Sequence, residues 1–156
     1  MIKTVQGNIL DAREKVIGHQ VNCKGIMGAG LAKSIKAKYP VAYERYKASC
    51  KRHGDSLLGV TVIGHANLLN PPYYIANIFG QLSAGRSKQH TDYTALRSAL
   101  ASLAMLMQEG ELDSLALPYK LGCGLGGGDW NVVENIIHEI FDESGIDVTI
   151  YQITEH

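Results

Sequence analysis

No apolar run in this chain is long enough to span a membrane, and the N-terminal Met1-Ile2-Lys3-Thr4-Val5-Gln6-Gly7 lacks the apolar stretch of a secretory signal. Cysteine is scarce. Cys23, Cys50 and Cys123 are an odd number with no C-x-x-C pair, which argues against a disulfide framework and a structural zinc site. No cluster of metal-ligating residues is visible either, so the expectation is a metal-independent site with no cofactor. An excess of charge of one sign is also missing: fifteen Lys and Arg cancel fifteen Asp and Glu. That balance argues against a strongly salt-dependent nucleic-acid binder, though not against recognition of a single nucleotide. These absences point to a reduced, cytoplasmic protein, with a monomer as the default and no membrane partner. At 156 residues the chain reads as one domain that buries its own core without staples.

Glycine is what the chain has in quantity, and much of it falls in two loops. The first is Gly25-Ile26-Met27-Gly28-Ala29-Gly30-Leu31-Ala32. The second is Gly122-Cys123-Gly124-Leu125-Gly126-Gly127-Gly128-Asp129-Trp130. Each sits where a strand hands over to a helix. Such a loop lets backbone N–H groups approach an anion closely, and the following helix adds the positive end of its dipole. Two of them in one small domain point to a ligand with more than one phosphate, held between two helix N-termini.

Periodicity supplies the frame. Strands are expected at Ile2 to Gln6, Val16 to Cys23, within Leu57 to Ala66, at Tyr73 to Phe79 (ended by Gly80), Ser114 to Tyr119 and Val148 to Ile153. Helices are expected from Leu31 to the break at Pro40, from Val41 to Arg52, from Asp92 to about Gln108, and after Asp129. Leu96, Leu100, Leu103 and Met107 form one helical face. Val132, Val133, Ile136, Ile137, Ile140 and Phe141 form another, with Gly145 as the stop. Thr91 or Asp92 is placed to cap the third helix. Ser83 to His90 reads as an exposed polar loop. Strands alternating with helices predict an α/β fold with a largely parallel sheet and helices on both faces.

Gly122-x-Gly124-x-x-Gly127 also fits a dinucleotide-binding fingerprint. The context does not: that motif opens its fold, and here a single strand follows. Cys123 in the same loop invites a cysteine-phosphatase reading, but no arginine follows it to bind a phosphoryl group. A small residue packed under a tight turn is the simpler account.

Gly7-Asn8-Ile9-Leu10, Asn22-Cys23-Lys24-Gly25-Ile26-Met27-Gly28-Ala29-Gly30-Leu31-Ala32 and the whole second glycine loop resemble the macrodomains. The similarity is greatest to the branch that holds ADP-ribose 1''-phosphate phosphatases, terminal ADP-ribose hydrolases and DNA-directed antitoxin macrodomains. The resemblance implies a three-layer α/β/α fold around a mixed, largely parallel sheet of about six strands. It implies an ADP-ribose cleft at the C-terminal strand ends. Asn8 would contact the adenine amino group, with Ile9 beside the ring. Met27, Gly28, Ala29, Gly30 and Leu31 would form one wall of the diphosphate site. Gly122, Gly124, Leu125, Gly126, Gly127 and Gly128 would form the other. Asn22, Asn77, Phe79 and Gln81 would lie near the distal ribose. The implied partner is ADP-ribose or ADP-ribose 1''-phosphate, or else an ADP-ribosylated protein or nucleic acid.

The chain departs from the side-chain hydrolases of that family. They carry a lysine after the strand matching Tyr73 to Phe79 and an aspartate after the leucine matching Leu125. Here those places hold Gly80 or Gln81, and Gly126. A covalent lysine adduct therefore lacks its residues. His19, three residues before Asn22, becomes the candidate to activate water or protonate a leaving group, or else it is a histidine packed in the sheet. Asp129 either orients a water or caps its helix. The candidate catalytic set is thus His19, Asn22 and Asp129. His90 ends the polar loop and belongs to no motif; Lys88, in the same loop, could approach the site, though nothing in the sequence requires it.

Overall fold

A computed structural model of the chain describes residues 1–83, 90–124 and 126–153. Its strands are β1 (Ile2–Gln6), β2 (Val16–Asn22), β3 (Thr61–His65), β4 (Tyr74–Gln81), β5 (Ser114–Pro118) and β6 (Asp147–Gln152). Its helices are α1 (Gly30–Lys38), α2 (Pro40–His53), α3 (Tyr93–Glu109) and α4 (Trp130–Phe141). The strands form one sheet in the order β1-β6-β5-β2-β4-β3, parallel throughout except for the antiparallel edge pair β3–β4. The expected α/β/α architecture is therefore the observed one.

Alternation along the central strands sorts the core into two layers. Val16, Ala76, Ile78, Leu115 and Leu117 face α3 and α4, where they meet Leu96, Leu100, Leu103, Val133 and Phe141. Ile17, Ile75 and Ala116 face the other way, against Ile35, Tyr39 and Ala42 of α1 and α2. Higher on that face, Val21 and Phe79 pack with Met27, Tyr46 and Cys50. Burial on both faces is why the β2 and β4 sequences read as nearly continuous apolar runs. Gly18 inside β2 leaves room for the core, because a Cβ there would stand 2.8 Å from a Leu117 methyl and 3.0 Å from one of Ile78, and those buried methyls would have to move.

Several boundaries differ from the sequence reading. β4 continues past Gly80 to Gln81: Gly80 is the extra residue between the Val21–Phe79 and Asn22–Gln81 pairs, and the ladder with β2 resumes after it. Only Thr61–His65 of the expected 57–66 strand pairs, and Gly54–Leu57 is a 3-10 turn. α4 ends at Phe141, and Gly145, at φ 79°, turns the chain only after that. Val132 is 37% exposed and leaves the inner face of α4. Asp92, not Thr91, caps α3, its carboxylate accepting from the Ala95 N–H at 3.0 Å. Of the expected polar loop, residues 84–89 lie outside the described residues, as does Leu125.

Candidate functional site

The C-terminal ends of β2, β4 and β5 open into a cavity of about 450 Å³. One side is the first glycine loop and the start of α1, with Ile26 and Gly28 to Ala32. The other is the segment after β5, with Tyr119, Lys120, Gly122, Gly124 and Gly126. His19, Gln20, Asn22 and Gln81 form the floor. Parallel strands all point their C-termini the same way, so the two glycine loops, nearly a hundred residues apart in sequence, meet across this gap.

The two helix N-termini are not equivalent. Ala29 caps α1 without any side-chain hydrogen bond, and the first residues of α1 line the cavity. The opening N–H groups of α1 have no partner within the helix and are available to an anion. α4 is different: Asp129 places its own carboxylate on the Asn131 N–H at 2.8 Å. Of the two helix N-termini expected to flank a ligand, only that of α1 lines the cavity. α1 presents an N-terminus without a side-chain cap to the cavity, and Gly122, Gly124 and Gly126 of the second glycine loop line the other side.

Asn22 builds the first loop. Its Oδ1 accepts from the Lys24 N–H at 2.9 Å and from the Tyr46 hydroxyl at 3.0 Å, and its Nδ2 donates to the Ile26 carbonyl at 2.9 Å. With the side chain so engaged and buried, Asn22 shapes the loop that lines the cavity. Asn8 has a comparable local role. It is exposed at the end of β1, where its Oδ1 accepts from the Leu10 N–H at 3.0 Å as the cap of a 3-10 turn.

His19 is buried on the floor, where its Nε2 pairs with Asn77 Oδ1 at 2.8 Å. Burial lowers its pKa to about 4 against the opposing hydrogen bond from Asn77, so the ring is neutral at neutral pH. Its Nδ1 is buried and has no hydrogen-bond partner among the described residues. Cys123 is set up oppositely to a nucleophile. Burial, helped by the nearby Asp129 carboxylate, pushes its thiol up to about 11.

Among the other predicted residues, Ile9, Met27, Asn77 and Phe79 are buried beneath the cleft rather than on its surface. Gly127 and Gly128 brace the second loop from behind. The Gly127 N–H donates to the Gly124 carbonyl at 3.0 Å, and that of Gly128 to the Gly122 carbonyl at 2.9 Å. Asp129 is exposed and serves as the α4 cap.

Sequence reasoning missed Gln20. Its Nε2 donates to both Gln81 Oε1 (2.7 Å) and Thr91 Oγ1 (2.8 Å), and Thr91 passes a hydrogen bond on to the Gly122 carbonyl (2.7 Å). The Thr91 and His90 N–H groups both donate to the Gly126 carbonyl. A Cβ on Gly126 would lie 2.6 Å from Thr91 Oγ1 and 3.0 Å from Gln20 Nε2. The amide of Gln20 thus fills the space beside Gly80, Gly122 and Gly126. Lys120 and Tyr119 on the rim were also missed, and the only sequence signal for them is their position just after a strand end.

Residues 19–137 match the model of the Macro domain family. The chain is 32% identical, over its whole length, to a DNA ADP-ribosyl glycohydrolase of Thermus aquaticus, and spans 42% of that protein. It is 28% identical to an ADP-ribose 1''-phosphate phosphatase of Meyerozyma guilliermondii, matching 78% of this chain and 82% of that one. Among solved structures it superposes on the macrodomain of Mycobacterium tuberculosis DarG with a TM-score of 0.87, at 28% identity and 99% coverage of both chains.

Proposed function

Because the chain belongs to the macrodomain family, we propose that the cavity binds ADP-ribose and that the protein hydrolyses ADP-ribose 1''-phosphate or a related C1''-linked derivative. The observation that carries this reading is the pairing of an uncapped α1 N-terminus with the second glycine loop across one cleft, above a buried histidine. The α1 N–H groups and the loop backbone hold the diphosphate. The distal ribose then lies over the floor made by His19, Gln20, Asn22 and Gln81.

In the reaction one water is consumed. Its oxygen joins phosphorus, the bond from phosphorus to the C1'' oxygen breaks, and that oxygen leaves as the ribose hydroxyl with a proton. With its low pKa, His19 is a poor base in the empty cleft. A phosphate arriving beside it favours the imidazolium, since an opposite charge stabilises the charged form. His19 then donates the proton that the leaving oxygen needs, while backbone donors stabilise the developing charge.

Incubation with ADP-ribose 1''-phosphate, followed by chromatography of ADP-ribose and assay of released phosphate, tests the reading on wild type and His19→Ala. Turnover that falls by about a hundredfold in the variant, the usual size of a general-acid contribution, supports it. Tight ADP-ribose binding with no turnover of phosphate, protein or nucleic-acid conjugates would instead make the protein a reader of ADP-ribose.

A further inference from the structure

The zero net charge of this chain conceals a separation between its two helical layers. Residues 24–53 form the first glycine loop, α1 and α2, and contain eight Lys and Arg against one acid, Glu44. Residues 92–147, which include α3 and α4, contain ten Asp and Glu against Arg97 and Lys120. The sheet lies between the two layers, so one face of the molecule is strongly cationic and the opposite face strongly anionic.

Most of the cationic face is unneutralised among the described residues. Lys24 pairs with Asp55 at 2.8 Å, and Lys38 Nζ donates to the Leu10 carbonyl. Among the described residues, Lys33, Arg45, Lys47, Lys51 and Arg52 have no carboxylate within ion-pair distance, and all five are exposed. Lys36 lies 4.4 Å from the Tyr43 ring centroid, which joins the two helices into one surface. Helix dipoles account for part of the pattern, because Lys36, Lys38, Lys51 and Arg52 stand in last turns where a cation is favourable. They do not account for Lys33, Arg45 or Lys47. Nor do they account for the like-charge neighbours Lys33–Lys36 and Lys47–Lys51 at i,i+3 and i,i+4, an arrangement that weakens an isolated helix.

This surface is continuous with the cleft. Gly30, Leu31 and Ala32 line the cavity, and Lys33 is the next residue of the same helix. Lys36 lies about 9 Å farther along the axis from Gly30 at the ordinary helical rise. A polyanion tracking α1 and α2 would therefore run straight from the mouth of the cleft.

We propose that the α1–α2 face docks the phosphate backbone of a nucleic-acid strand whose ADP-ribose adduct enters the cleft. The entry of the adduct rests on the ADP-ribose reading above; the docking of the backbone does not. The segregation removes the ground for expecting charge balance to disfavour salt-dependent nucleic-acid binding, because the charges that cancel in the total lie on opposite faces.

The test is fluorescence anisotropy with a labelled, unmodified 20-nucleotide single strand, at 50 and 200 mM NaCl. It compares wild type with a Lys33→Gln/Lys36→Gln/Lys47→Gln/Lys51→Gln variant. Glutamine is a good helix former at these exposed positions, and ADP-ribose calorimetry on the same samples checks the fold. For four phosphate contacts, wild-type affinity falls with a log–log salt slope of about −3, while the variant binds at least tenfold more weakly with a flatter slope. ADP-ribose affinity stays within twofold. Absence of oligonucleotide binding at 50 mM NaCl, or equal binding by the variant, overturns the proposal. So does low-salt self-association seen by sedimentation without oligonucleotide binding, which would assign the face to the acidic layer of a second copy. A wild type that binds the strand but not ADP-ribose overturns the cleft reading alone.

Discussion

Gln20 occupies the place that a side chain on Gly80 would need: a Cβ built on Gly80 falls 2.4 Å from Gln20 Oε1 and 2.9 Å from its Cδ. The two residues sit on neighbouring strands, and among the described residues the three heavy atoms nearest that Cβ all belong to Gln20. Gly80→Ala is therefore expected to act by expelling the Gln20 amide from its bonds to Gln81 and Thr91. The second glycine loop then loses its tie through Thr91 to the Gly122 carbonyl. ADP-ribose affinity measured by calorimetry should fall about tenfold in Gly80→Ala and in Gln20→Ala, as for losing a net hydrogen bond or two. The double variant should bind like Gln20→Ala alone, because its clash is gone. Strictly additive losses in this cycle would show that the two residues act separately.

That network also marks the limit of what the sequence reveals. The fold is legible because β2, β4 and β5 are buried on both faces and the helices carry clean apolar stripes. The glycine loops are legible because their composition is itself a local signal. Gln20 is silent by the same rules. Strand alternation puts it on the opposite face from His19, and its partners Gln81 and Thr91 lie 61 and 71 residues away. Convergence of strand ends made it a cleft residue, and no local pattern reports convergence. Asn22 and Asp129 show the converse. Their motif positions were visible, but the structure gives the first to loop building and the second to helix capping.

The buried His19 ties stability to pH. Between its ordinary pKa of 6.5 and about 4, the unfolded chain binds a proton at His19 that the folded chain refuses. Where the unfolded state binds more protons, stability falls as pH falls, so this contribution is fully present above pH 6.5 and is lost down to about pH 4. At 1.36 kcal/mol per unit the loss is about 3 kcal/mol. Urea denaturation at pH 7 and pH 4.5 should show it in wild type, and His19→Gln should flatten the difference. Equal pH slopes in the two proteins would remove His19 as the cause.

Asn22 should matter to stability before it matters to chemistry. Asn22→Ala strands the Lys24 N–H and the Ile26 carbonyl and leaves a gap beside Tyr46, whose hydroxyl keeps its bond to the Asn22 carbonyl. One unsatisfied donor and one unsatisfied acceptor in a half-buried loop predict a loss of about 2 kcal/mol, whereas Tyr46→Phe, which removes both hydroxyl bonds to Asn22, should cost about 1 kcal/mol. Chemical denaturation of the two single variants and the double measures both. A cost for Asn22→Ala under about 0.5 kcal/mol, the range of surface changes, would show that the loop holds its shape without it.

Ala29 offers a way to separate folding from binding at the anion site. Its backbone, at φ −150° and ψ 160°, already has the extended conformation of a helix cap, yet its side chain can cap nothing. Ala29→Asp supplies the missing acceptor and a negative charge at the positive end of the α1 dipole. The helix should gain about 1 kcal/mol of stability. The same carboxylate occupies the N–H groups proposed for the diphosphate and repels it, so ADP-ribose affinity should fall by at least tenfold. A rise in melting temperature together with that loss identifies the α1 N-terminus as a binding element left uncapped at the expense of stability. Unchanged ADP-ribose affinity in a stabilised variant would place the diphosphate elsewhere in the cleft.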